Sequence, residues 1–190
     1  MSLGRQAKLL GENQIKVVLA HLAGTNDADR NRLMLLLSVD AALRAKEIAS
    51  VTWEMVTDSD GNVGDVIRLE DRAAKGKSGG VVFLSRRLKR HLEEFHGGRT
   101  CSGAIIRSRS GKAFSAQVVT NWFWTLYREL GFSGCSSHSG RRTAITRWAR
   151  NIASAGGSLR DVQALARHSS LAMTQRYIEL SEGAMARVVG

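Results

Sequence analysis

The chain contains no proline, so its turns and helix ends must be marked by glycine, asparagine, aspartate and serine. Cysteine is nearly as scarce. Cys101 and Cys135 are too few for a disulfide framework and fit a reducing compartment. Cys135 and His138 have the spacing of a ligand pair, but a structural zinc site needs four converging ligands and only Cys101 and the other histidines remain to complete it. We therefore expect no metal and no other cofactor. The longest apolar run, Leu33 to Leu37, is five residues, against the roughly 20 a membrane-crossing helix needs. No signal peptide is evident, and a cytoplasmic protein without a membrane partner is expected. Acidic residues are also in deficit, 17 against 28 basic ones, for a net charge of +11.

That basic surplus has a particular chemistry. Of the 28 cations 21 are arginine, whose planar fork matches phosphate oxygens better than a lysine does. A polyanionic partner is the natural reading. A length of 190 residues suits one domain with a substantial core, and no repeat, low-complexity tract or linker interrupts it.

Periodicity predicts a mainly helical chain. Ile15, Val18, Leu19 and Leu22 share the face of a helix over 12–22 closed by Gly24, and a second helix starts after Asn26-Asp27 and carries Leu33, Leu36 and Leu37. Three short β-type runs follow, Val51–Trp53, Val66–Leu69 and Val81–Leu84. The turn residues Asp60-Gly61-Asn62 and Lys75 to Gly80 lie between them, so a small antiparallel sheet is expected. Gly76-Lys77-Ser78 is half of a phosphate-binding P-loop. Asp71 stands where that motif needs glycine and a strand follows where it needs a helix, so ATP binding is excluded. Ser85 caps a basic helix whose arginines and lysine serve equally well as a solvated face or as a contact for a phosphate backbone. Ile105 to Lys112 reads as a strand-like segment and a turn. Ser115 caps a helix through Leu130 with Val118, Val119, Trp122, Phe123, Leu126 and Leu130 on its apolar side, which we read as core. Tyr127 in that helix is expected to pack its ring and give its hydroxyl a local partner.

The chemistry concentrates between Ser136 and Tyr177. With Ser136 or Ser137 as cap, a helix starting near His138 places His138, Arg141, Ile145, Trp148 and Ile152 on one stripe, polar at its N-terminal end. An imidazole and a guanidinium beside an electropositive helix start suit a phosphate. Further on, Ser158 caps a helix to Ala166, His168 follows, Ser169 or Ser170 caps the next segment, and Tyr177 lies nine positions after His168.

His138-Ser139-Gly140-Arg141, Ala166-Arg167-His168 and Tyr177 resemble the tyrosine recombinases of the phage integrase family. That family has a His-x-x-Arg pair, a Leu-Gly-His turn and a tyrosine nine residues beyond. Upstream, Ala41 to Ile48 stands where the family writes Thr-Gly-Leu-Arg-x-x-Glu-Leu. Arg44, Glu47 and Ile48 match, and Ala42 replaces a glycine, so the bend there is expected to soften or the helix to continue. Arg167 replaces the other glycine, at a place where a left-handed residue costs roughly 1 kcal/mol or the turn is made differently. Lys75 falls where the family carries a lysine on a β-hairpin.

The resemblance implies a mainly α fold with a small antiparallel β-sheet (α+β), that of a DNA breaking-rejoining catalytic domain. It implies one such domain over 1–190, with its core at about 12–182 and no N-terminal core-binding domain. Arg44, Lys75, His138, Arg141, His168 and Tyr177 would be the catalytic set, Glu47 orienting a neighbouring cation rather than reacting. The implied activity is site-specific cleavage and rejoining of double-stranded DNA through a 3′-phosphotyrosine, in integration, excision or inversion. Alternatives are a catalytically impaired DNA-binding regulator of the same fold and a type IB topoisomerase-like relaxase. The resemblance also implies self-association on DNA through the tail after Tyr177, accessory DNA-bending proteins, and a place on the nucleoid. A frayed end is the competing reading of the tail.

Overall fold

The computed structural model describes residues 6–73, 79–98 and 101–178. Its architecture follows from one helix whose C-terminal half is buried on every side. In α2 (Ala28–Val39), Leu33, Met34, Leu35, Leu36, Leu37 and Val39 all have 0% exposure. A helical stretch with no polar face must be surrounded. Helices α1 (Glu12–Ala23) and α4 (Arg86–His96) pack against it, and α5 (Ala116–Glu129) packs on the short α3 (Ala45–Ser50). Each fully buried Leu or Met contributes about 1.5–3 kcal/mol of transfer free energy, so α2 is the largest single apolar contribution to this core. The remaining helices are α6 (Ser139–Asn151), α7 (Leu159–Ala166) and α8 (Leu171–Gln175). The chain divides into two compact units, residues 1–144 and 145–190, and α6 runs across the division.

Local signals read from sequence act as expected at most helix ends. Ser85 Oγ accepts from Leu88 N at 3.1 Å and Ser115 Oγ from Val118 N at 3.3 Å, while Gly97 closes α4 in the left-handed conformation (φ 61°). At α7, Asp161 accepts from both the amide and the hydroxyl of Ser158, which holds its carboxyl below the usual carboxylate range.

The sheet is smaller than expected. Strands β1 (Val66–Leu69) and β2 (Gly80–Phe83) form an antiparallel pair in the register Val66 to Phe83 through Leu69 to Gly80. The third run does not join them. Trp53 opens a 3₁₀ turn, Trp53–Met55, which cuts Val51–Trp53 too short for a strand, and the run pairs instead with 103–105 through Trp53 N to Gly103 O and Ile105 N to Val51 O, both 3.0 Å. The segment after Ile105 is likewise closed by a single bridge, Arg107 to Ala113. Helix α5 departs from a purely buried apolar side, since Phe123 and Tyr127 are core but Val118 is 44% exposed, and Trp124 is 54% exposed with Arg128 stacked at 4.2 Å from its ring. Tyr127 corrects a second expectation. Its ring packs against Phe123 and Phe132, but its hydroxyl is buried with no hydrogen-bond partner among the described residues, and burial pushes its pKa well up.

Among the described residues no helix is long and apolar enough to cross a membrane, and no cluster of His, Cys, Asp and Glu could hold a metal.

Candidate active site

In the first unit the site is built on the turn between α2 and α3. Asp40, buried at the end of α2, accepts from Ser85 Oγ at 2.8 Å and from Arg87 Nε and Nη2 at 3.0 and 2.6 Å, a fork that keeps Arg87 firmly charged. Ala42 then adopts φ 52° and Leu43 N reaches back to Leu37 O at 3.0 Å. The helix therefore does not continue through Ala42. The bend is made with an alanine in the left-handed region, which costs about 1–2 kcal/mol for an L-residue. Its carbonyl accepts from Arg141 Nη1 at 2.6 Å. Two residues later Arg44 sits in extended conformation at the N-cap of α3, where the fully buried Glu47 accepts from both its amide (2.7 Å) and its Nη1 (2.8 Å). Glu47 thus fixes Arg44 by backbone and side chain together, as expected of an orienting carboxylate.

The head of α6 supplies the second cation. The helix begins at Ser139, one residue after the expected start. His138 N donates to Ser136 Oγ at 3.3 Å, Ser136 N to Ser139 Oγ at 3.0 Å, and Arg142 N to the His138 carbonyl at 2.9 Å. His138 is exposed here and Arg141 is buried, with 4% exposure. Gly140 between them allows the close approach to α2: a Cβ at that position would collide with the Ser38 hydroxyl and lie 2.9 Å from Ser38 Cβ and 3.0 Å from Val39 Cγ1. The N-terminal segment straps the same turn, through Arg142 Nη1 to Ala7 O at 2.6 Å and Leu10 N to Thr143 Oγ1 at 2.8 Å. Deeper along the predicted stripe Ile145 is buried and Trp148 and Ile152 are half-buried.

The second unit carries the phenol. Helix α7 ends on Arg167 at φ 52°, ψ 48°, with Arg167 N donating to Ala164 O at 3.0 Å and His168 N to Gln163 O at 3.1 Å. This is a Schellman ending with arginine in the glycine place. The turn is made in the left-handed way, strain included. Gln163 Nε2 donates to the His168 carbonyl at 3.1 Å, so His168 is held on both sides of its Cα. Its ring stacks on Tyr177 with centroids 5.3 Å apart and planes 27° apart, and its Nδ1 lies 3.0 Å from Thr174 Oγ1. Tyr177 follows α8, half-buried, its amide bonded to Thr174 O at 2.9 Å and its carbonyl accepting from Thr146 Oγ1 at 3.3 Å. Ser170 occupies the cap position of α8 but makes no side-chain cap bond.

The chain matches the phage integrase family over residues 8–183. It belongs to that family. It is 29% identical over 160 residues to the tyrosine recombinase XerC of Chlamydia caviae, a match covering 80% of this chain and 47% of that protein. Among solved structures it resembles the XerA recombinase (TM-score 0.72, 18% identity, 99% of this chain and 64% of that one). It also resembles the Tn1549 transposon integrase in complex with a circular intermediate DNA (TM-score 0.75, 16% identity, 99% and 67%). A third is a lambda integrase dimer bound to a core site (TM-score 0.71, 18% identity, 94% and 49%). The chain thus spans about half the length of the curated relative it matches. These likenesses establish the mainly helical fold with its small antiparallel pair.

Of the residues expected to act in this integrase-family chain, Arg44 and Arg141 meet at the Ala42 turn with His138 at the head of the same helix as Arg141, and His168 and Tyr177 stack in the second unit. Lys75 lies outside the described residues. Within the basic helix α4 the question left open by sequence is partly answered, since Arg87 serves Asp40 and Lys89 pairs with Asp65 at 2.6 Å. Sequence reasoning did not single out Thr146, Thr174, Asp40 or Gly140. Only Thr174 carried a signal, its place in the polar run just before Tyr177.

Proposed function

We propose that this chain is a tyrosine-type site-specific recombinase domain that cleaves and rejoins double-stranded DNA. The observation that supports this reading best is the second-unit pair, a half-exposed phenol stacked on a buried imidazole at the end of a family match spanning 8–183. In this reading the Tyr177 oxygen attacks the scissile phosphorus and forms a 3′-phosphotyrosine while the P–O bond to the 5′ oxygen breaks. Arg44, Arg141 and His168 donate to the nonbridging oxygens, where charge accumulates. Lys75 gives its proton to the departing 5′ oxygen. His138 takes the phenol proton, a needed step because a tyrosine of pKa about 10 is scarcely ionised at neutral pH. Attack by another 5′-hydroxyl reverses the sequence and restores the phosphodiester, so the bond energy stays in the protein link.

The net charge of +11 and the arginine surplus support duplex DNA as the partner. The DNA-bound relatives, one of them a dimer on its core site, support assembly on DNA. We extend the reading to a single catalytic domain over 1–190, to self-association through the tail after Tyr177, to help from DNA-bending proteins, and to a cytoplasmic place on the nucleoid. Beyond Ile178 the tail lies outside the described residues.

A nicked suicide duplex bearing the chromosomal target tests the reaction. The chain is expected to form a covalent band on a denaturing gel, attached to a 3′ phosphate. Tyr177→Phe should bind DNA and form none, while Tyr127→Phe, which removes a buried hydroxyl without a partner among the described residues, should keep it. Binding without any adduct in the unaltered chain would favour the regulator. Relaxation of supercoils without pairing of sites would favour the topoisomerase.

A further inference from the structure

We infer that Thr174 is a positioning residue that sets the tautomer of His168, so that the imidazole presents Nε2–H as its donor. The inference rests on the proposed strand-transfer reaction for its meaning, but its geometry stands alone. Thr174 has 0% exposure and His168 6%, and Thr174 Oγ1 lies 3.0 Å from His168 Nδ1. That contact is consistent with two opposite arrangements. Either Nδ1 carries the proton and Thr174 accepts it, or Thr174 donates its hydroxyl hydrogen to a bare Nδ1. Burial decides between them. In the first arrangement the hydroxyl hydrogen is sealed from water and, among the described residues, makes no hydrogen bond. In the second only lone pairs of the hydroxyl go unused, and an idle lone pair is the smaller loss. Thr174 therefore donates, Nδ1 accepts, and the ring proton of neutral His168 sits on Nε2.

The neighbours of Thr174 hold this geometry. Its own carbonyl takes the Tyr177 amide, so the residue that orients the imidazole also anchors the backbone of the phenol stacked upon it. The Schellman turn and Gln163 fix the main chain of His168, while its ring is stacked on Tyr177 and meets Thr174 Oγ1 at Nδ1. A phosphate oxygen needs a donor, and a ring in the other tautomer would offer it a lone pair instead.

The experiment combines a spectrum and a rate on the full chain. Two-bond proton–nitrogen correlation spectra of the 15N-labelled protein, without DNA and at a pH where the ring is neutral, identify the protonated nitrogen. The His168 signals are assigned by their loss in His168→Gln. Unaltered protein should show Nε2 protonated. Thr174→Val, which keeps the shape and removes the hydroxyl, should show a mixture of tautomers and form the covalent adduct about tenfold more slowly, below the ~10²–10³ typical of removing an oxyanion donor outright. Thr174→Ser should restore both. A protonated Nδ1 in the unaltered chain, or an unchanged spectrum in Thr174→Val, overturns the inference. Failure of Thr174→Ser to restore the rate assigns the residue to packing and overturns it as well. The spectrum needs no reaction, so a correct tautomer in a chain that forms no adduct separates failure of the proposed function from failure of this inference.

Discussion

Two turns in this molecule share the same positive φ, and each has a residue other than glycine in it. Ala42 and Arg167 both stand at φ 52°, each just ahead of a residue of the site, Arg44 in one case and His168 in the other. Their surroundings differ. Ala42 has 0% exposure and its carbonyl is the acceptor for Arg141, so this turn holds one cation through the chain and a second through a hydrogen bond. Arg167 is half-buried, and the Schellman bonds at 3.0 and 3.1 Å set where His168 begins. A strained residue enclosed by packing is coupled to its neighbours. One at a helix end is coupled mainly to its own helix.

The comparison is sharpened by three substitutions. The largest effect is expected from Arg141→Ala, which removes the partner of the Ala42 carbonyl and, in the proposed reaction, a donor to the phosphate. Adduct formation should fall by about 10²–10³, as for loss of one oxyanion donor. Arg141→Lys should recover little of it, because an ammonium cannot reproduce a planar fork that holds carbonyl and phosphate at once. Single-turnover cleavage kinetics measure both. Next comes Ala42→Val. A β-branched residue at positive φ in a filled site should cost about 2–3 kcal/mol in urea unfolding, through overpacking added to backbone strain. Arg167→Val, at a half-exposed position, should cost less, and equal losses at the two sites would remove the distinction drawn above. The smallest effect is expected from glycine. Arg167→Gly relieves about 1–2 kcal/mol of left-handed strain against the ~0.5–1 kcal/mol that glycine adds to chain entropy, so it should stabilise by a few tenths to 1 kcal/mol. Ala42→Gly also loses a buried methyl worth about 0.8 kcal/mol and should come out close to neutral. Thermal midpoints of the two variants, measured side by side, check the order.

What was legible in the sequence is what is decided over a few residues. Ser85, Ser115 and Gly97 end helices where their local chemistry says they should, and the shared burial of Arg141 and Ile145 in α6 is a matter of helical spacing, with His138 exposed just ahead of the helix. The nine-residue interval from His168 to Tyr177 gives a stacked pair because it is spanned by a turn and one short helix. Distant partners were not legible. Val51–Trp53 looks like any β-type run, and only the folded chain offers it 103–105 in place of β1. The bend at Ala42 is dictated by what surrounds it, whereas an alanine's own preference leads to the expectation of a softened bend or a continued helix. Tyr127 is placed correctly by the apolar side of α5, yet no periodicity reports that its hydroxyl will be left without a partner.

The contact of Gly140 with Ser38 has a consequence for how this sequence can drift. These positions are 102 residues apart (140 − 38 = 102), and any side chain at 140 would meet both the hydroxyl and the Cβ of Ser38. Trimming Ser38 to alanine removes the first collision and leaves the second, 2.9 Å from Cβ to Cβ. Only glycine at 38, with Val39 also yielding, makes room. A lineage that replaced Gly140 would therefore have to change its central helix first, through an intermediate with glycine inside α2, where the helix loses roughly 1 kcal/mol of propensity. Exchange at 140 is blocked by the order in which the changes must occur.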